Sequence, residues 1–263
     1  MNKRIFFLFS ALFFSAIIFA QTPTPQSFTQ EDWDKLPQQK KDSINKLLLQ
    51  KFEEAKKAAA NVDEENANHV IDDALKNLNG TISLSFTGFP KAQLRDDITE
   101  FKNLEDFTCT KCRALDLNLL FNQLSQLPKL KHVNISGGTL SFLPNSIKQL
   151  SSLEELNLKD NNFKTLPDSF VLLKNLRVLN LEHNAYLYDD EVYERIKNLN
   201  VEELNFSASG LLELNDKIGQ LKSLKKLDLS INDIKTLPPS FSQLSNLQQL
   251  NLSFGFLFFL FFN

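Results

Sequence analysis

The chain has 263 residues, 42% of them apolar, with 29 basic against 32 acidic side chains. That length supports one sizeable domain or a short array of repeats. A formal net charge of -3 does not favour nucleic acid or an anionic membrane surface as a partner. The first stretch, "MNKRIFFLFSALFFSAIIFA", has a basic start at Lys3 and Arg4, an apolar run from Ile5 to Phe19, and small Ala20 at a cleavage-like point. This pattern predicts a secretory signal peptide over 1–20. The run falls short of the roughly 20 residues a membrane span needs; the alternative reading is an uncleaved N-terminal anchor. Ile18 stands where a small residue is usual, which leaves the cut undefined, and no cysteine follows it to carry a lipid. Removal leaves a net charge near -5.

Residues 21–28, beginning "QTPTPQ", read as a flexible lead, and 29–80 as helical. Pro37 suits a first turn, and Ile44, Leu47, Leu48, Phe52 and Ala55 recur at helical spacing. Asp63, followed by Glu64 and Glu65, predicts a second N-terminus. Val70, Ile71, Ala74, Leu75 and Leu78 then form an apolar face, and Gly80 is a natural stop. The spacing therefore predicts two amphipathic helices.

From 81 to 253 the chain repeats itself. Leu130, Leu153, Leu176, Val201, Leu224 and Leu247 open segments at steps of 23, 23, 25, 23 and 23 residues. Each opening has an L-x-x-L-x-L pattern: "LKHVNI", "LEELNL", "LRVLNL", "VEELNF", "LKKLDL", "LQQLNL". A looser copy starts at Leu104, and a weaker one lies around Ile82. Second halves read L-P-x-x-I/F-x-x-L, as in "LPNSIKQL" and "LPDSFVLL". This resembles the leucine-rich repeat family, in its 23-residue bacterial and plant form. The resemblance implies an α/β solenoid with a curved parallel sheet on the concave side and short helices or irregular turns behind it. Each repeat buries its apolar edge only against its neighbours. The fourth and sixth residues of a repeat, such as Leu156 and Leu158, then point inward, and Phe170 and Leu173 close the far side. The family asparagine, here Asn161, would bond backbone groups of the turn. The helices before the array read as an N-terminal cap; the alternative is a partner-binding helical hairpin.

The second residues of successive repeats are Glu105, Lys131, Glu154, Arg177, Glu202 and Lys225. Their alternating signs suit side-by-side stacking; a charge code for a ligand is the other reading. The fifth residues, Asn134, Asn157, Asn180, Asn205 and Asp228, and the seventh residues Lys159 and Glu182, face out between buried neighbours. The resemblance implies that this concave face binds a protein partner, and these residues are the candidates. A surface adhesin or envelope structural protein recognising glycan or cell-wall material is the alternative.

Cys109 and Cys112 form "CTKC" and fall on the inward sixth and the asparagine position. Three residues of extended chain would separate their Cα atoms by about 10 Å, against the less than about 7 Å that a disulfide requires. The expectation is therefore two packed thiols. His69, His132 and His183 form no metal-ligand spacing, and no nucleophile, phosphate-loop or zinc motif occurs. The sequence points to no catalytic residue, metal or cofactor.

The repeat from Leu176 replaces its Leu-Pro half with "AYLYDDEVYERIKNLN", which holds all three tyrosines. Asp189 or Asp190 would cap a short helix whose Val192, Ile196 and Leu199 face inward. Tyr188 and Tyr193 are candidate partner anchors, or the segment is a local loop variant. After Ser253 the pattern fails, and 254–263 is an apolar tail in which Phe254 to Phe262 holds six phenylalanines. A truncated or shifted reading frame, a hydrophobic plug over the last coil and a sorting signal are the three readings. The protein as written is expected to self-associate through this edge. With the phenylalanine-rich leader, the expected location is the periplasm, the cell surface or the medium.

Overall fold

The computed structural model describes residues 35–185, 187 and 189–254. The stretches read above as signal peptide and lead, Tyr186, Tyr188 and the tail beyond Phe254 lie outside them. The chain divides into two compact units, residues 1–56 and 57–263. Helix α1 (Gln38–Leu75) starts in the first and ends in the second.

In the second unit eight short strands form one parallel sheet in chain order. They are β1 (Ser83–Thr87), β2 (Asp106–Thr110), β3 (His132–Asn134), β4 (Glu155–Asn157), β5 (Val178–Asn180), β6 (Glu203–Asn205), β7 (Lys226–Asp228) and β8 (Gln249–Asn251). The weak copy around Ile82 thus forms a true coil. Register is constant: Leu156 pairs with Leu179, Leu179 with Leu204 and Leu204 with Leu227. Behind the sheet most coils run through one 3-10 turn, such as Asn145–Gln149, Asp168–Leu172, Asp216–Gln220 and Pro239–Gln243. Two coils are longer and hold α-helices instead. Helix α2 (Leu117–Leu124) is capped by Asp116, whose side chain accepts from the amides of Asn118 at 2.8 Å and Leu119 at 3.3 Å. Helix α3 (Asp189–Ile196) buries Val192, Ile196 and the following Leu199, as its spacing predicts.

The core is a single stack. Leu153, Leu156, Leu158, Phe163, Leu166, Phe170 and Leu173 of one coil are all buried, and neighbouring coils repeat the set. Ala67 and Ile71 of α1 join this core, with Val70, Ala74, Leu75 and Leu78 packed against it. Asp72 of α1 also pairs with Arg95 at 2.6 Å.

The two-helix expectation is corrected. Asp63 lies inside a continuous helix. No proline or glycine interrupts Gln38–Leu75, and "AKKAAA" just before Asn61 is rich in strong helix formers. A capping residue therefore has no break to cap. Gly80 ends the turns that follow the helix rather than the helix itself.

One backbone feature recurs in every coil. The eighth residue is left-handed: Gly88 (φ 74), Lys111 (57), Gly137 (69), Asp160 (55), His183 (56), Ala208 (53), Ile231 (56) and Phe254 (56). It turns the chain off the sheet and brings the ninth side chain back beneath the sixth. This corrects the thiol expectation for Cys109 and Cys112, which form a disulfide with Cα atoms 5.8 Å apart. The extended-chain distance failed because Lys111 folds the segment back.

A left-handed conformation is costly for a β-branched residue, and Ile231 is 55% exposed, so little burial offsets the strain. Ile231→Asn, which tolerates this conformation, is expected to raise stability by about 1 kcal/mol. The midpoint of chemical denaturation measures it; an unchanged or lower midpoint would show that contacts of Ile231 outweigh its strain.

Candidate functional site

The concave face is built by the third, fifth and seventh residues of each coil. Register places Asn134, Asn157, Asn180, Asn205, Asp228 and Asn251 in one row, each the Cα partner of the next. The face therefore brings together all the fifth-position candidates, with Lys159 and Glu182 beside them.

The row has a structural cause that its spacing did not reveal. Strands β3 to β8 are three residues long. The sixth and eighth amides donate to the next coil, as Leu158 does to Asn180 and Asp160 to Glu182. The seventh amide has no such ladder partner, and the fifth side chain takes it. The Oδ1 atoms of Asn157, Asn180, Asn205 and Asp228 accept from the amides of Lys159, Glu182, Ser207 and Ser230 at 2.8–3.0 Å. An unbonded half-buried amide is expensive, so asparagine or aspartate here serves the backbone first. What remains for a partner is the other half of each side chain. The Asn205 amide group reaches Glu182 at 3.4 Å. Those of Asn157 and Asn180 have no acceptor among the described residues.

Charges on the face are largely self-paired. Lys159 Nζ lies 2.8 Å from Glu182 Oε1, and that hydrogen bond holds the ammonium above its ordinary range. Lys226 pairs with Glu203 at 2.6 Å. In the second-residue ladder Lys131 lies 4.0 Å from Glu105 and 3.9 Å from Glu154. Lys225 bonds Glu202 at 2.9 Å, which holds the Glu202 carboxyl below its ordinary range, with added attraction from Lys225 and Arg177. Exposed pairs of this kind contribute a few tenths of a kcal/mol each.

Sequence reasoning missed a hollow of about 260 Å³ in the sheet face, spread over β2 to β5. Its lining includes the third-position row Asp106, His132, Glu155 and Val178 and the fifth-position Asn134, Asn157 and Asn180. Only the parallel register makes these third and fifth residues neighbours. Among the described residues no group of three or more His, Cys, Asp or Glu side chains is arranged to hold a metal ion, and no helix is long and apolar enough to cross a membrane.

Tyr193 is not on this face. It is fully buried and meets Phe206 edge-on, with ring centroids 5.8 Å apart. As a partner anchor it is corrected to a packing residue: in α3 it sits beside Val192, and both turn onto the core.

A leucine rich repeat family model matches residues 128–185 and 200–254. Among solved structures, a leucine-rich repeat protein of Leptospira interrogans is 30% identical over 70% of this chain and 46% of its own, with a TM-score of 0.56. The internalin InlF of Listeria monocytogenes is 22% identical over 68% of this chain and 50% of its own, at TM-score 0.51. Toll, in its complex with Spätzle from Drosophila, is 20% identical over 65% of this chain and 23% of that one, at TM-score 0.54. The latter two show the fold alone. The chain thus spans half or less of the length of these structures. A search of curated proteins returns no match. With its repeat, register and buried turn asparagines, the chain belongs to the leucine-rich repeat proteins.

Truncating a fully buried aromatic side chain typically costs about 3–5 kcal/mol. Tyr193→Ala is expected to lower stability by that order and to leave partner affinity of the folded fraction unchanged. Thermal unfolding beside a binding titration separates the two; lost affinity at constant stability would return Tyr193 to the interface.

Proposed function

We propose that this protein is a non-catalytic recognition module that binds a protein partner on its concave face, outside the cytoplasm. The observation that carries the reading is the in-register polar row from Asn134 to Asn251, half-buried over most of its length and exposed at Asn251. It offers spare amide groups and paired charges on a wide, open surface. The Toll–Spätzle complex is a case in which a protein of this fold meets a protein partner. Export is supported by the Cys109–Cys112 disulfide, since such bonds persist mainly in oxidising compartments, and by the predicted signal peptide.

Capture from an envelope extract with residues 21–263 supplies the partner, and variants then test the face. The double exchange Lys159→Glu with Glu182→Lys keeps the ion pair but inverts its direction. It is expected to weaken binding by about tenfold or more, the scale of a lost interface contact. Lys174→Glu, on an exposed far-side residue, is expected to change nothing. Equal losses from both would remove the concave assignment.

The last described coil favours a second reading, self-association. Leu250 is 38% exposed, whereas its equivalents Leu204 and Leu227 are 2% exposed, and Phe254 is 88% exposed. Among the described residues no strand lies beyond β8, and a strand edge with exposed apolar side chains is a ready surface for a second copy. Light scattering across a concentration series is expected to show dimers or larger species, and Leu250→Glu with Phe254→Ser to reduce them. A wild-type chain that stays monomeric throughout would end this reading.

A further inference from the structure

We propose that the hollow over β2 to β5 is a receptor for one cationic side chain, arginine or lysine, presented by an extended segment of a protein partner. This rests on the concave-face reading and specifies its chemistry.

The hollow is unlike the rest of the face in three respects. First, its two carboxylates share one imidazole and have no lysine or arginine among the described residues. Elsewhere Lys159, Lys225 and Lys226 each sit against a glutamate. Among the described residues Asp106 and Glu155 have only His132 as an ionic partner. His132 Nδ1 is hydrogen-bonded to Asp106 and its Nε2 lies 3.9 Å from Glu155 Oε1, so a single imidazole stands against two carboxylates. An ammonium or guanidinium group supplies further donors and a positive charge.

Second, Asn134 breaks the rule of its row. Its Oδ1 is buried and has no hydrogen-bond partner among the described residues, while the matching oxygens of Asn157, Asn180, Asn205, Asp228 and Asn251 each accept a seventh-residue amide. Asn134 lines the hollow, and its unpaired carbonyl oxygen adds partial negative charge to that of the two carboxylates there.

Third, the β5 end of the hollow suits the remainder of such a residue. Val178 is the apolar member of a third-position row that otherwise reads Asp106, His132, Glu155, Glu203, Lys226 and Gln249. It provides a surface for the methylene stem of a long basic side chain. The amide groups of Asn157 and Asn180 can donate to carbonyls of the partner backbone. Adjacent strands lie about 4.8 Å apart, so the span from Asp106 to Val178, three strand spacings, is about 14 Å. That matches an extended basic side chain together with its own peptide unit.

The probe is N-acetyl-arginine amide, with N-acetyl-citrulline amide as its uncharged analogue, titrated into isotopically labelled protein and followed by amide shifts. Arginine is expected to perturb Thr108, Asn134 and Asn157 saturably, with an affinity at least about tenfold above citrulline, that is about 1.4 kcal/mol. Asp106→Asn with Glu155→Gln is expected to abolish the difference, and so is His132→Lys, which fills the hollow with an internal cation. Unchanged unfolding midpoints of both variants exclude loss of fold. Equal binding of citrulline, or shifts scattered over the convex side, would overturn the proposal. No partner enters this titration, so its failure leaves the concave-face reading to the capture assay.

Discussion

Each coil must leave the sheet without stranding its backbone, and the rest of the structure follows from how it does so. The left-handed eighth residue folds the ninth under the sixth, and the side chains there differ from coil to coil while doing one job. In the first coil Phe89 packs against Phe86 at 6.3 Å. In the second, Cys112 is bonded to Cys109. Asn161, Asn184 and Asn232 donate to the sixth-residue carbonyls of Leu158, Leu181 and Leu229 at 2.9–3.0 Å. Each also reaches the preceding coil, at Ile135, Leu158 and Phe206. The asparagine is therefore both a clip within a coil and a rivet between coils. Gly138 is the counterpart: a Cβ there would press on Asn161 Oδ1 at 3.2 Å and Leu140 Cγ at 3.1 Å, and the bare Gly138 amide donates to that same Oδ1.

Much of this was legible in the sequence because a fixed period leaves little freedom. Leucine spacing located the strands, their register and the inward faces, and the same arithmetic placed α3 within its irregular repeat. The failures share a cause: local geometry was inferred from spacing without the turn that intervenes. Cys109 and Cys112 look too far apart only if the chain runs straight through Lys111. Asp63 looks like a cap only if something stops the helix before it, and nothing does. Tyr193 looks like a partner anchor from its residue type alone, yet helical phase puts it next to Val192 on the buried side.

The concave face carries a different lesson. A row of asparagines looks like a binding surface, and the same row is required by the backbone of three-residue strands. Half of each side chain is committed before any partner arrives. Informative positions are then those that depart from this requirement, and they gather in one place: the unsatisfied Asn134 oxygen, the lone Val178, and two carboxylates sharing one imidazole. None of these departures is visible until register sets residues from four separate coils side by side.

The disulfide closes a ring within a single coil rather than joining two. A loop this short restricts the unfolded chain by only about 2 kcal/mol on the chain-entropy account. In a one-dimensional stack, where each coil leans only on its neighbours, position matters more than size. The coil of Cys109 and Cys112 lies between the α1-packed start of the array and all six following strands. Loosening it would act as a break in a zip fastener: the two sides could melt separately, and cooperative unfolding would give way to two transitions. A modest local bond can thus decide whether the array behaves as one body or two.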